Sequence, residues 1–120
     1  MAEFTTEVEL PVRYRDIDSL GHVNNAVYVT YLEQARAEYI REVFATTALD
    51  PGFVVAHVGV DYERPIELDD RVVVALGVSA VRTASVTMDY EIRADGDIAA
   101  TAETVIVAVD DGTGEPTDIP

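Results

Sequence analysis

The sequence predicts an α+β fold in which one long helix lies against a five-stranded antiparallel sheet. Three observations predict it. A helical apolar periodicity runs from about Asn25 to Phe44. Five segments carry strand-type patterns, one before this helix and four after it. The later strands are mostly joined by short turn sequences, which favours antiparallel pairing with the helix covering one sheet face. At 120 residues the chain has enough length for one modest core, so a single domain over residues 1–120 is expected, with residues 110–120 as an exposed tail.

The first element is an alternation of Val8, Leu10, Val12 and Tyr14 with Glu7, Glu9, Pro11 and Arg13 between them. It predicts a half-buried strand from Val8 to Tyr14, and Pro11 suits an edge or a bulge. Ser19-Leu20-Gly21 is a turn, after which Asn24 or Asn25 can cap the helix. Tyr28, Tyr31, Leu32, Ala35, Tyr39 and Val43 recur at three- and four-residue steps and form its core face. Glu33, Arg36, Glu38, Arg41 and Glu42 supply most of its polar remainder. Asp50-Pro51-Gly52 ends a loop.

The next strands are read from the alternations Val54, Ala56, Val58, Val60, Tyr62, then Val72, Val74, Leu76, Val78, Ala80, then Val86, Met88, Tyr90, Ile92. Arg64-Pro65-Ile66-Glu67-Leu68-Asp69-Asp70 connects the first two through a rigid proline and an acidic turn. Ala94-Asp95-Gly96-Asp97 has hairpin chemistry. The strand from Ile98 to Val109 is apolar on both faces near Val105, Ile106 and Val107, so it is central or covered by a partner. One helix leaves an apolar edge and the far sheet face poorly protected, which predicts at least a dimer.

Composition narrows the function. There are 23 acidic residues against 8 bases, all arginine, for a formal net charge of -15. Such a surface repels nucleic acid and anionic membranes, so neither is an expected partner. The missing lysine beside the surplus of acids points to a halophilic protein, adapted to a salty cytoplasm where counterions screen the repulsion. Cysteine is absent, excluding disulfides, thiolate nucleophiles and cysteine-ligated metals. His22 and His57 are the only imidazoles, and no compact spacing makes a metal site. No leader-like segment and no membrane-length apolar run is present. A cytoplasmic protein without a metal or a resident cofactor is expected.

Chemistry concentrates in Tyr14-Arg15-Asp16-Ile17-Asp18-Ser19-Leu20-Gly21-His22-Val23-Asn24-Asn25. Two carboxylates so close can raise one pKa and make a general acid or base. By itself each has a plainer use: Asp18 can close a turn or pair with Arg13 or Arg15, and Asp16 can accept backbone or arginine hydrogen bonds. Gly21 can expose a turn backbone, and the amides near Asn24 and Asn25 fall in the first helical turn, where the dipole favours negative charge. Glu33 sits among apolar neighbours yet is three residues from Arg36, an ordinary helical ion pair. Tyr28, Tyr31 and Tyr62 can line a pocket or fill the core, and His57 suits a strand or interface hydrogen bond.

The run from Asp16 to Asn25, followed by Tyr28, Tyr31, Glu33, Ala35 and Arg36, resembles the hotdog-fold acyl-CoA thioesterases of the 4-hydroxybenzoyl-CoA thioesterase-like branch. The similarity continues through Tyr62-Glu63-Arg64-Pro65-Ile66 and Asp70-Arg71-Val72, and the element order covers nearly the whole chain. The resemblance implies a long central helix wrapped by a curved five-stranded antiparallel sheet. It implies a homodimer or a dimer-of-dimers homotetramer with acyl-CoA bound at the subunit interface, coenzyme A entering as part of substrate and product. It implies a hydrolase that splits acyl-CoA thioesters to free acid and coenzyme A.

For the site, it puts Asp18 in the position of the catalytic aspartate, which attacks the thioester carbonyl or activates water. The Asn25 amide then polarises the carbonyl and His22 orients the reacting group. Asp16, Gly21, Tyr28, Tyr31, Glu33 and Tyr62 are expected to line the substrate, and any of Arg64, Arg71 and Arg82 can meet the phosphates. The competing readings are an acyl-CoA hydratase or dehydratase on a related scaffold, with Asp18 and His22 moving protons, and a noncatalytic acyl-CoA-binding protein.

Overall fold

The computed structural model describes residues 4–44, 52–110 and 112–118, with side chains described for all of these except Val43 and Phe44. The elements run β1 (Thr6–Leu10), a 3-10 turn (Tyr14–Asp16), α1 (Asn25–Phe44), β2 (Gly52–Tyr62), β3 (Val72–Val81), β4 (Ser85–Ala94) and β5 (Asp97–Val109). The five strands make one antiparallel sheet in the order β1-β3-β4-β5-β2. α1 lies on one face of it, as the sequence predicts for an α+β fold.

The expected first strand is shorter than its alternation. Pairing stops at Leu10, opposite Val72, because Pro11 has no N–H to continue the ladder. The chain then curls: the Arg13 N–H donates to Asp16 Oδ2 at 2.8 Å and the Asp16 N–H to the Arg13 carbonyl at 2.9 Å. That tight turn throws Tyr14 outward, 84% exposed, where alternation predicts a strand. Val12 still packs on the core.

The helix begins where the asparagines predict, and Asn24 is the cap: its Oδ1 accepts from the Ala26 N–H at 2.9 Å. Tyr28, Tyr31, Leu32 and Ala35 are buried and Tyr39 packs partly against them, while Val43 falls outside the described side chains. Arg36 departs from its expected polar face. It turns toward the sheet and donates to the Tyr90 hydroxyl at 3.4 Å, which in turn shares a 2.7 Å bond with buried Thr104. A guanidinium here keeps two buried hydroxyls inside a satisfied network. Among the described residues Glu33 and Arg36 form no ion pair, whereas Glu38 and Arg41 do.

Ile66, Val72, Val74, Leu76, Met88, Tyr90, Ile92 and Ile106 complete the core from the sheet side. The β4–β5 hairpin turns through Asp95 and Gly96 with φ of 50° and 86°, the doubly left-handed geometry that Asp-Gly favours. β5 is internal, which accounts for its apolar character on both faces. β2 is an edge, and its even alternation fails between Val55 and His57, where the pairing shifts by one residue. Ala56 is the extra residue of that bulge, so Val55 and Val58 share the helix side of the sheet. Val54, Val55 and Val58 are left 50%, 46% and 37% exposed. Beyond β5 the tail folds back through a Val109–Pro116 bridge and a Thr117 N–H to Ala108 carbonyl bond of 2.9 Å, with most of its described residues exposed. Asp50, Pro51 and Asp111 of the expected loops lie outside the described residues.

Candidate active site

The loop from Asp16 to Asn24 is fixed by its own backbone. Ile17 bridges Val23, the Asp18 N–H donates to the His22 carbonyl at 2.8 Å, and the Gly21 N–H to the Asp18 carbonyl at 3.0 Å. Gly21 takes φ of 83°, a conformation that any side chain would strain. Two longer ties dock the loop: Val23 N–H to the Ile66 carbonyl and Asn24 N–H to the Asp16 carbonyl, both 2.8 Å.

Within this frame the two aspartates differ. Asp16 Oδ2 accepts from the Arg13 N–H at 2.8 Å and the Tyr31 hydroxyl at 3.1 Å, so that oxygen has two donors. The phenol of Tyr31 is pushed above the ordinary tyrosine range by burial first and by the charge of Asp16 second, and stays a hydrogen-bond donor. Asp18 Oδ1 accepts from the Leu20 N–H at 2.9 Å, and among the described residues Oδ2 has no donor. Asp18 is half-buried and faces an open cavity of ≈ 560 Å³.

The helix N-terminus faces the same cavity. Asn24 uses its side chain on Ala26 and its carbonyl on Val27, which leaves the Asn25 N–H without a partner among the described residues. The first turn is braced from β2. Tyr62 donates its hydroxyl to the Asn25 carbonyl at 2.8 Å, and its ring meets Tyr28 edge-on at 4.9 Å and 77°. Tyr28 is buried and donates to the Arg64 carbonyl at 3.3 Å; burial is the main reason its phenol is raised.

Asp18, His22, Asn25, Tyr28, Tyr62 and Arg64 therefore line one cavity, together with Leu20, Val23, Asn24, Glu63 and Pro65. Gly21 shapes its loop without lining it. Asp16 and Tyr31 line a neighbouring groove with Arg13 and Arg15. Glu33 is exposed and lines a third hollow with Val29, Leu32, Arg36, Val55, Val58 and Thr104. Arg64 turns inward, donating to the Ala94 carbonyl at 2.8 Å and lying 3.6 Å from Asp70. Arg71 is held by Glu9 at 2.9 Å on the β1 side of the sheet, and Arg82 stands exposed on the β3–β4 turn. His57 is exposed on the sheet face away from the helix, near Asp61, Asp89 and Glu103. Among the described residues no group of three or more His, Asp or Glu side chains is placed to hold a metal ion. Sequence reasoning missed Glu63 and Pro65 as lining groups, although they belong to the segment that follows β2 and docks on the loop.

Comparison with known proteins places this geometry. Residues 12–120 match the thioesterase-like superfamily. The chain is 33% identical to the acyl-CoA thioester hydrolase YbgC of Shigella flexneri, covering 97% of this chain and 92% of that protein. It is 32% identical to the acyl-CoA thioesterase YbgC of Haemophilus influenzae, covering 92% and 86%. Among solved structures, a thioesterase from Thermus thermophilus complexed with coenzyme A and Zn superposes with a TM-score of 0.90 at 38% identity, covering 98% of this chain and 93% of that one. The Asp18 carboxylate, the Asn25 amide at the helix start and the five-stranded sheet around one helix are thus carried by a chain that belongs to the thioesterase-like superfamily, among the hotdog-fold acyl-CoA thioesterases.

Proposed function

We propose that this protein hydrolyses acyl-CoA thioesters in the ≈ 560 Å³ cavity, with Asp18 as the reacting carboxylate. One observation carries the reading: Asp18 and Asn25 line one cavity at the start of α1, and among the described residues Asp18 Oδ2 and the Asn25 N–H have no partner. The thioester carbonyl oxygen takes the Asn25 N–H, where the helix dipole favours negative charge. Asp18 then either adds to the carbonyl carbon or takes a proton from the water that does. The negative charge formed on oxygen collapses, the carbon–sulfur bond breaks, and coenzyme A leaves as a thiolate that needs little help. In the addition route water afterwards cleaves the mixed anhydride and restores Asp18. Half-buried on the same loop, His22 orients the group that reacts.

Release of free thiol from a panel of aliphatic and aromatic acyl-CoAs in high salt tests the activity. Asp18→Asn is expected to lower kcat by about 10²-fold or more, because it keeps the shape and removes the charge. Wild-type turnover in that variant, with folding confirmed, rejects Asp18 as the reacting group.

The reading includes assembly. The exposed valines of β2 and the hollow beside Glu33 suit coverage by a second copy, giving a dimer or a dimer-of-dimers in which the site is shared. The net charge of -15 without lysine supports a salty cytoplasm as the working environment.

A further inference from the structure

We propose that Arg13 and Arg15 form the phosphate site for the coenzyme A carrier, in the groove beside the Asp18 cavity; this rests on the thioesterase reading above. Coenzyme A is a polyanion, and a protein of net charge -15 repels it unless a local cluster of cations reverses the field. Only eight arginines are available, and most are engaged. Arg41, Arg64, Arg71 and Arg93 are paired with Glu38, Asp70, Glu9 and both Glu7 and Glu91. Arg36 serves the Tyr90 hydroxyl. Among the described residues that leaves Arg13, Arg15 and Arg82 without a carboxylate partner. Arg82 stands alone, whereas Arg13 and Arg15 line one groove of ≈ 280 Å³.

The groove's single acid, Asp16, keeps its charge but has one oxygen occupied by uncharged donors. Asp16 Oδ2 takes the Arg13 N–H and the Tyr31 hydroxyl, and neither arginine side chain pairs with it. Arg13 and Tyr31 line the same groove, and the charge of Arg13 partly offsets the rise that burial gives the Tyr31 phenol. Thr30 and Gln34 add uncharged hydrogen-bonding groups on the helix side. This set of donors suits phosphate oxygens, since a guanidinium offers a planar fork to two of them. The volume admits phosphates and leaves the adenosine outside.

The spacing is also suitable. Arg15 is three residues and Arg13 five residues from Asp18, so the chain keeps both within about 17 Å of it. A pantetheine arm can span such a separation from the thioester at Asp18 to phosphates beside the two arginines.

The test compares matched acyl-CoA and acyl-pantetheine thioesters, the second lacking every phosphate, in wild type and in Arg13→Gln, Arg15→Gln, the double variant and Arg82→Gln. The double variant is expected to raise KM for acyl-CoA about tenfold with kcat retained, and to leave kcat/KM for acyl-pantetheine unchanged. Inorganic phosphate as inhibitor separates a general anion site from one shaped for coenzyme A: weak inhibition that vanishes in the double variant supports the site, and inhibition unaffected by the substitutions counts against it. Equal losses on both substrates would mean a structural role and overturn the proposal, as would a KM change confined to Arg82→Gln. If wild type hydrolyses neither thioester, the thioesterase reading fails by itself. Calorimetric binding of coenzyme A to wild type and the double variant then still decides the phosphate site, with undiminished affinity in the variant refuting it.

Discussion

At the scale of single residues, the two aspartates show how position within one loop separates chemically identical groups. Asp16 is tied to the Arg13 amide and the Tyr31 hydroxyl, while Asp18 lines the cavity and has one oxygen without a donor among the described residues. Tyr31 makes this arrangement measurable. Its phenol is raised above the ordinary value of 10.0 by burial and then by Asp16. A raised folded pKa means that Tyr31's contribution is fully present below the unfolded value near 10 and is lost as pH climbs through the folded one. Alkaline titration by phenolate absorbance should therefore show a phenol, assigned to Tyr31 by its loss in Tyr31→Phe, that ionises above the ordinary tyrosine range. Tyr31→Phe should flatten the alkaline loss of stability, and an unchanged slope would show that Tyr31 does not drive it. The sequence made the polar cluster legible but not this division, because residues 16 and 18 share a side only on an extended strand and the 3-10 turn destroys that parity. Glu33 and Tyr31 were likewise legible as polar or aromatic helix residues, yet helical rotation sends them to hollows other than that of Asp18.

At the scale of elements, α1 was readable almost to the residue because capping chemistry and a 3.6-residue stripe agree. Replacing the cap, Asn24→Ala, is expected to cost about 1 kcal/mol of stability, read by denaturant unfolding. It should also lower activity, since the same turn presents the Asn25 amide. The strands were legible as segments and less so at their ends. Pro11 stopped β1 before its alternation ran out, and the bulge at Ala56 reset the facing of β2, a change that no alternation pattern announces. That bulge leaves valines on an unpaired edge. Val58→Lys should therefore weaken association in light scattering and reduce turnover with it; undiminished assembly would remove β2 from the interface.

At the scale of the whole molecule, electrostatics outweighs any single ion pair. The pairs Arg71–Glu9 and Arg93–Glu7 involve largely exposed glutamates and are worth little each. The surplus of 15 acids acts everywhere at once. Screening shortens from about 10 Å at 0.1 M salt to about 3 Å at 1 M, so lowering salt should reduce the melting temperature and loosen assembly. A melting temperature that holds in dilute buffer would contradict this. The Tyr62 hydroxyl on the Asn25 carbonyl joins residues 37 positions apart, and the Val23–Ile66 bond beside it is also remote in sequence. Helix and loop can each form locally, but the cavity exists only after the far end of β2 has docked. Closing such long loops is slow and easily reversed at a sheet edge. On gentle denaturation, turnover should therefore vanish while helical ellipticity persists, so that the enzyme's activity reports the seating of its edge strand.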